Sequence, residues 1–305
     1  MTRRLVVTGV DGFVGRHLAR VAAQSGFEVF GISRNAQPDA EALASLTGYA
    51  SADLRRGWPV GVPLDADVVH LAGLAAVGPS FDSPQEYIDG NSAMVTSMCE
   101  ALLSAGFTGR VVGVSTGAVY AQEEEVARIE TDPVAYTSPY VVSKVLTENQ
   151  LAYYARRGLR TVVARPFNHI GPNQGPGFLL PDLLRQHLAS APERPLRVGN
   201  LDTRRDYTDV RDVARAYLAL ATAPRLAHDV YNVASGTARS GREILEALYE
   251  ALGQPVPPLE VDDSRIRVTD PALIVGNSSR LRSDTGWFPA VSFRSTIADT
   301  VAAGL

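Results

Sequence analysis

Short runs of β-branched and aliphatic residues recur through the first two thirds of the chain, at Leu5-Val6-Val7, Val29 to Ile32, Val68 to Leu71, Val111 to Val114 and Thr161 to Ala164. Longer stretches of helical period separate them. Strands that alternate with helices predict a parallel sheet wound by crossovers. The runs are apolar almost without interruption, as strands covered on both faces must be. Between the first two, Val14, Leu18 and Val21 stand at i, i+4 and i+7, so one face of that helix packs on the sheet. Gly26 supplies its stop.

From Gly171 the texture changes to Pro and Gly: Gly171-Pro172, Gly175-Pro176-Gly177, Pro192, Pro195 and Pro255 to Pro258. Such breaks predict a smaller region beside the sheet. Val230 to Val233 interrupts it and reads as a strand returning to the sheet. The expected fold class is therefore α/β, a doubly wound parallel sheet (Rossmann fold) with a smaller, discontinuous C-terminal domain. Residues 1–167 plus about 206–234 form the first domain, and about 168–205 with 235–305 the second.

Composition narrows the class. The 305 residues include 29 Lys and Arg against 33 Asp and Glu, a formal charge of −4, which gives no basic footprint for a nucleic acid. With 45% apolar and 20% charged residues, a chain of this length buries roughly three quarters of its unfolded surface. The single Cys99 forms no internal disulfide and points to a reducing compartment. The first apolar run is too brief for a signal peptide, and Val68 to Val77, the longest, is far below the roughly 20 residues of a membrane helix. A cytoplasmic protein with no membrane partner is expected. Glu123-Glu124-Glu125 reads as a solvated loop.

Gly9, Gly12 and Gly15 stand at G-x-x-G-x-x-G spacing between the first strand and the first helix. Missing Cβ atoms permit a tight turn, approach of a pyrophosphate and close helix packing, while the helix N-terminus offers free N–H groups to phosphates. This predicts a dinucleotide site. At the end of the second strand an acidic residue would receive the adenosine ribose of NAD. The chain has Ser33-Arg34 there, a hydroxyl and a guanidinium suited to a 2′-phosphate, so NADP(H) is expected in preference to NAD(H). Asp53, after the third strand, is placed near the adenine.

Tyr140 and Lys144 are one helical turn apart and share a face. A neighbouring cation would favour the phenolate and lower the Tyr140 pKa. Upstream, Val111 to Val114 ends in the hydroxyls of Ser115 and Thr116.

With the glycine loop, His70-Leu71-Ala72-Gly73, Ser115 to Tyr120, the Tyr-Lys pair and Arg165-Pro166-Phe167-Asn168-His169-Ile170-Gly171-Pro172, the chain resembles the extended short-chain dehydrogenases/reductases over nearly its whole length. The resemblance implies a catalytic set of Thr116, Tyr140 and Lys144: Thr116 bonds the reacting oxygen, Tyr140 exchanges its proton, and Lys144 binds the nicotinamide ribose and tunes the Tyr. It also implies a cofactor cradle of Gly9, Gly12, Phe13, Val14, Ser33, Arg34, Asp53, Leu54, Leu71, Ala72, Gly73, Asn91 and Pro166, with Tyr140 and Lys144. A homodimer through helices near Ser92–Ser104 and Tyr140–Arg156 is a further family expectation.

Within that family the 4,6-dehydratases follow the catalytic Thr with Asp-Glu, whereas Gly117-Ala118 cannot transfer a proton. An epimerase/reductase of the Cys-His type is disfavoured because Cys99 lies on an earlier helix. The Arg165 to Pro172 run, Gly199 to Val210 and Tyr231 to Gly236 look most like the reductases of GDP-4-keto-6-deoxy-D-mannose. Asn168 and Arg205 would then hold the nucleotide diphosphate or sugar, with Arg267 as a second cation and Asp270 near the nucleotide ribose. His169 and His70 read as packing residues. Ala118 and Ala121 depart from those reductases and leave the sugar open. A nucleotide-sugar 4-epimerase with retained NAD is the alternative, and a dinucleotide-binding protein without catalysis the third reading.

Overall fold

The computed structural model describes residues 3–121, 126–189, 194–265 and 271–304. The solvated loop expected at Glu123-Glu124-Glu125 lies outside them. Thirteen strands and ten α-helices are formed among the described residues. In the first half these are β1 (Arg4–Thr8), α1 (Phe13–Gln24), β2 (Glu28–Ser33), α2 (Ala40–Leu43), β3 (Gly48–Ser51), β4 (Asp67–His70), α3 (Val77–Asp82), α4 (Pro84–Ser104), β5 (Arg110–Val114), α5 (Pro139–Arg156) and β6 (Arg160–Pro166). In the second they are β7 (Asn168–Ile170), α6 (Leu179–Ala189), β8 (Leu196–Val198), β9 (Arg204–Asp209), α7 (Val210–Thr222), β10 (Val230–Val233), β11 (Ala238–Ser240), α8 (Gly241–Leu252), β12 (Leu259–Val261), β13 (Leu273–Ile274), α9 (Ser279–Thr285) and α10 (Phe293–Ala303).

Seven strands form one sheet in the order β10-β6-β5-β4-β1-β2-β3, every pair parallel. The order reverses between β1 and β4, and the crevice beyond the C-terminal ends of such neighbours is where these folds take ligands. All five apolar runs became strands, and Val230 to Val233 returned to the sheet beside β6. Edge strand β3, Gly48-Tyr49-Ala50-Ser51, has no apolar run to announce it.

One face of the sheet buries α1 and α7, with Leu18, Val213 and Tyr217 in the core. The other buries α4 and α5 around Met98, Cys99, Leu102, Leu151 and Tyr154. Cys99 is fully buried, and burial pushes its thiol pKa up to about 12, which makes it inert. A third core gathers Ile170, Leu184, Leu201, Leu248 and Ile297 under the second sheet, β11-β9-β13 with β7 beside β9. Leu281 and Trp287, counted with the second domain by sequence, sit in the large core instead.

The two regions are joined by a buried carboxylate. Asp206 on β9 accepts hydrogen bonds from Ser235 N (2.9 Å), Ser235 Oγ (2.6 Å), Gly236 N (2.9 Å) and Gly276 N (3.3 Å), pinning the turn after β10 to β9 and to the segment after β13. No described helix is long and apolar enough to cross a membrane, and no cluster of metal-ligating side chains occurs among the described residues.

Candidate active site

At the end of β1 the chain turns through Gly9, whose φ of 69° lies in the left-handed region that favours glycine. A Cβ there would come 2.9 Å from Ala72 N. Thr8 draws the β4 loop this close: its Oγ1 accepts from Ala72 N at 3.1 Å and pairs with His70 Nδ1 at 2.9 Å. Burial holds the His70 pKa down at about 3, so this ring is a neutral packing group.

Gly12 caps α1 without a side-chain bond, which leaves the first-turn N–H groups and the positive end of the helix dipole available to an anion. Gly15 packs the helix on the turn, where a Cβ would lie 2.3 Å from the Gly9 carbonyl oxygen. Gly15→Ala must push α1 off the loop. The expected result is a destabilisation of about 1–3 kcal/mol, as for overpacked sites, with loss of dinucleotide binding; urea melts and cofactor titration test it, and unchanged binding would exclude the cradle.

This turn forms the floor of a cavity of about 310 Å³ lined by Gly9, Gly12, Ser33, Arg34, Asp53, Leu54, Leu71, Ala72 and Gly73. Nine of the sequence-selected cofactor residues thus surround one space. A cradle that a single Cβ would fill, at the topological switch and under an uncapped helix, fits a dinucleotide pyrophosphate and adenosine. Asp53 is gripped by Arg55, which donates Nε to Oδ1 at 2.9 Å and Nη2 to Oδ2 at 2.8 Å, holding the carboxyl pKa down at about 2.

The same cavity takes in Asp11, Asn35, Arg55 and Met94, which pattern reading passed over. Asp11 lies between two glycines of the loop, so only its place in that motif could have drawn notice. Phe13 is outside the cavity wall; its ring stacks on His169 at 5.9 Å, and His17 meets its edge at 5.7 Å. Val14 packs against the large core, and Pro166 is buried at the end of β6.

The chemistry-bearing side chains converge at the ends of β5 and α5. Ser138 caps α5 by accepting from Val141 N, and Pro139 begins the helix, which sets Tyr140 and Lys144 on the face toward β5. Thr116 leaves β5 with its Oγ1 accepting from Ala118 N at 3.1 Å. Lys144 Nζ donates to Val114 O at 2.9 Å and stands 5.9 Å from the Tyr140 ring centroid. Asn91 links the β4 loop to α5, donating to Ser143 Oγ at 2.8 Å and accepting from Leu74 N at 2.8 Å.

The sequence expects Lys144 to lower the Tyr140 pKa, and here the structure differs. Burial pushes the phenol up to about 12, opposed by a hydrogen bond from Thr116, while Lys144 itself is pulled down to about 8 by burial. Desolvation disfavours the charged form of each group.

Asn168 is exposed on β7. Arg205 is buried, with Nη1 donating to the carbonyls of Arg204 and Pro271 at 2.8 Å each, so it braces β9 against the chain that leads into β13. Arg267 and Asp270 lie outside the described residues. A second recess of about 350 Å³, between Gly199 to Asp202, Arg242 and Val261, opens in the smaller domain.

Known proteins share this fold and much of this sequence. The model of the NAD dependent epimerase/dehydratase family matches residues 5–234. GDP-6-deoxy-D-mannose reductase of Pseudomonas aeruginosa is 34% identical, over 97% of this chain and 95% of its own length. The structure of RMD from Pseudomonas aeruginosa complexed with NADPH superposes with a TM-score of 0.83 at 31% identity, covering 99% of both chains. The Thermus thermophilus UDP-glucose 4-epimerase complex with NAD gives a TM-score of 0.83 at 28% identity, covering 98% of both.

Proposed function

Because this chain belongs to the NAD dependent epimerase/dehydratase family, we propose that it reduces the C4 ketone of a nucleotide-linked 4-keto-6-deoxyhexose with a reduced nicotinamide dinucleotide. GDP-4-keto-6-deoxy-D-mannose, giving GDP-D-rhamnose, is the first substrate to test, and a dTDP-sugar the second. The observation that carries the reaction type is the assembly of Thr116, Tyr140 and Lys144 with Gly117 behind them. A Cβ on Gly117 would meet the Phe167 ring at 2.9 Å, so no acid or base for elimination fits next to the catalytic Thr. The likeness to the Pseudomonas reductase supports the sugar.

A bound dinucleotide supplies the hydride. Thr116 Oγ1 accepts from Ala118 N, and its hydroxyl, which meets Tyr140 here, turns to donate to the substrate oxygen when one enters between them. Tyr140 stays protonated through the neutral range and delivers the proton from Oη as charge builds on that oxygen. Lys144, held by the Val114 carbonyl, places an ammonium beside the developing charge.

The ammonium form is the active one, so activity is present below the Lys144 pKa and lost as pH rises through it. The kcat/KM for ketone reduction is expected to fall with a midpoint near pH 8, the value to which burial brings Lys144. A flat profile from pH 6 to 10 would remove Lys144 from this role.

The experiment for the activity is oxidation of NADH and NADPH, followed at the nicotinamide absorbance, with GDP- and dTDP-4-keto-6-deoxyhexoses. Turnover supports the ketoreductase. No oxidation, together with interconversion of UDP-hexoses without added cofactor, would replace it by a 4-epimerase. Asp11 favours that second reading, because a carboxylate at the ribose suits the NAD held by the Thermus epimerase. The Ser33-Arg34 pair alone favours NADP(H); Asp11 changes that balance. A cytoplasmic homodimer joined through the outer faces of α4 and α5, where Tyr153 is 55% exposed, completes the reading.

A further inference from the structure

Ser33 closes β2, the position from which dinucleotide folds address the adenosine 2′-oxygen. It carries no charge, yet a carboxylate stands at the same place, brought by the glycine loop. Asp11 Oδ2 accepts from Ser33 Oγ at 2.5 Å and from Asn35 Nδ2 at 2.7 Å, and Oδ1 accepts from Asp39 N at 3.0 Å. Ser33 Oγ also lies 2.8 Å from Tyr49 Oη, so the hydroxyl is engaged on both sides and is not free to serve a phosphate. A carboxylate accepts through about four lone-pair sites, and Asp11, with Ser33, Asn35 and Asp39 donating to it, lines the cavity.

The cations at this rim do not offset that charge. Arg55 is committed to Asp53 through two parallel bonds. Arg34 is exposed, and a water-screened guanidinium pairs weakly. A 2′-phosphate, with nearly two negative charges, would have to settle against Asp11.

We propose that Asp11 selects the dinucleotide, receiving the ribose 2′-hydroxyl of NAD(H) and excluding NADP(H). This rests on the reading of the cavity as the dinucleotide site of the proposed oxidoreductase, and it reverses the preference that Ser33-Arg34 alone implies. Relatives complexed with NAD and with NADPH are equally similar in fold, so the selection belongs to this chain's own loop.

The test is an equilibrium titration of the purified chain with NADH and with NADPH, read by nicotinamide fluorescence without any sugar. Wild type is expected to bind NADH at least tenfold more tightly. Asp11→Asn, which keeps the shape and removes the charge, and Asp11→Ala are expected to narrow that ratio at least tenfold, by weaker NADH and tighter NADPH binding. Tighter NADPH binding by wild type, or an unchanged ratio in both Asp11 variants, would overturn the selection while leaving the ketoreductase reading standing. Failure to bind either dinucleotide would overturn both.

Discussion

Tyr140→Phe is expected to lower the rate of ketone reduction by about 10²–10⁴-fold, the usual contribution of a positioned general acid, with dinucleotide binding unchanged. The ring is buried with Tyr87, Val119, Tyr120, Val141 and Phe167, and removing one hydroxyl leaves that packing intact. Thr116 continues to bond the substrate oxygen but has no proton to give up near neutrality. Pre-steady-state and steady-state nicotinamide oxidation would measure the loss. Activity within tenfold of wild type would mean that another group protonates the product oxygen, and the assignment of Tyr140 would fail.

Glu148→Ala is expected to destabilise the fold by about 3–5 kcal/mol, the range found when one partner of a buried ion pair is removed. Glu148 lies one helical turn beyond Lys144 on α5 and receives Arg165 in two parallel bonds, Nε to Oε1 at 2.9 Å and Nη2 to Oε2 at 2.6 Å. Only 7% of the Arg165 side chain and 12% of the Glu148 side chain are exposed. Arg165 also donates to Tyr120 Oη at 3.0 Å, and Tyr120 donates to Asn232 Oδ1 at 2.6 Å. One network therefore ties α5 to β6, to the turn after Thr116 and to β10. Without the carboxylate the guanidinium stays buried with its charge uncompensated. Urea denaturation would give the difference, and a double variant, Glu148→Met with Arg165→Leu, is expected to recover most of it. A single variant as stable as wild type would show the pair to be dispensable.

Helix α5 also shows where local reading stops. Tyr140 and Lys144 sit one turn apart, and that spacing alone puts them on a common face. What their pKa values become depends on what covers them. With both groups buried, desolvation moves the phenol up and the ammonium down, the reverse of the tuning that the pair would show in water.

Strands, crossovers and the glycine loop were legible because each rests on near neighbours in the chain: continuous apolar runs, a helical face at Val14, Leu18 and Val21, and three glycines in one turn, two of which, Gly9 and Gly15, stand where a Cβ would collide. Long-range pairings carry no such trace. Asp11 meets Ser33, Arg165 meets Glu148, and Asp206 meets Ser235 and Gly276, each joined by the order of strands in the sheet rather than by any period. Nothing in the local sequence shows that the Arg205 guanidinium also donates to the Pro271 carbonyl, 66 residues away. The sequence by itself determined the architecture and marked Thr116, Tyr140 and Lys144 as the candidate chemistry-bearing side chains, because helical and strand geometry is set by residues a few positions apart. The carboxylate beside Ser33 and the protonation of Tyr140 and Lys144 were decided only by the tertiary structure, because electrostatic free energy depends on distance and burial, and neither is a local property of a chain.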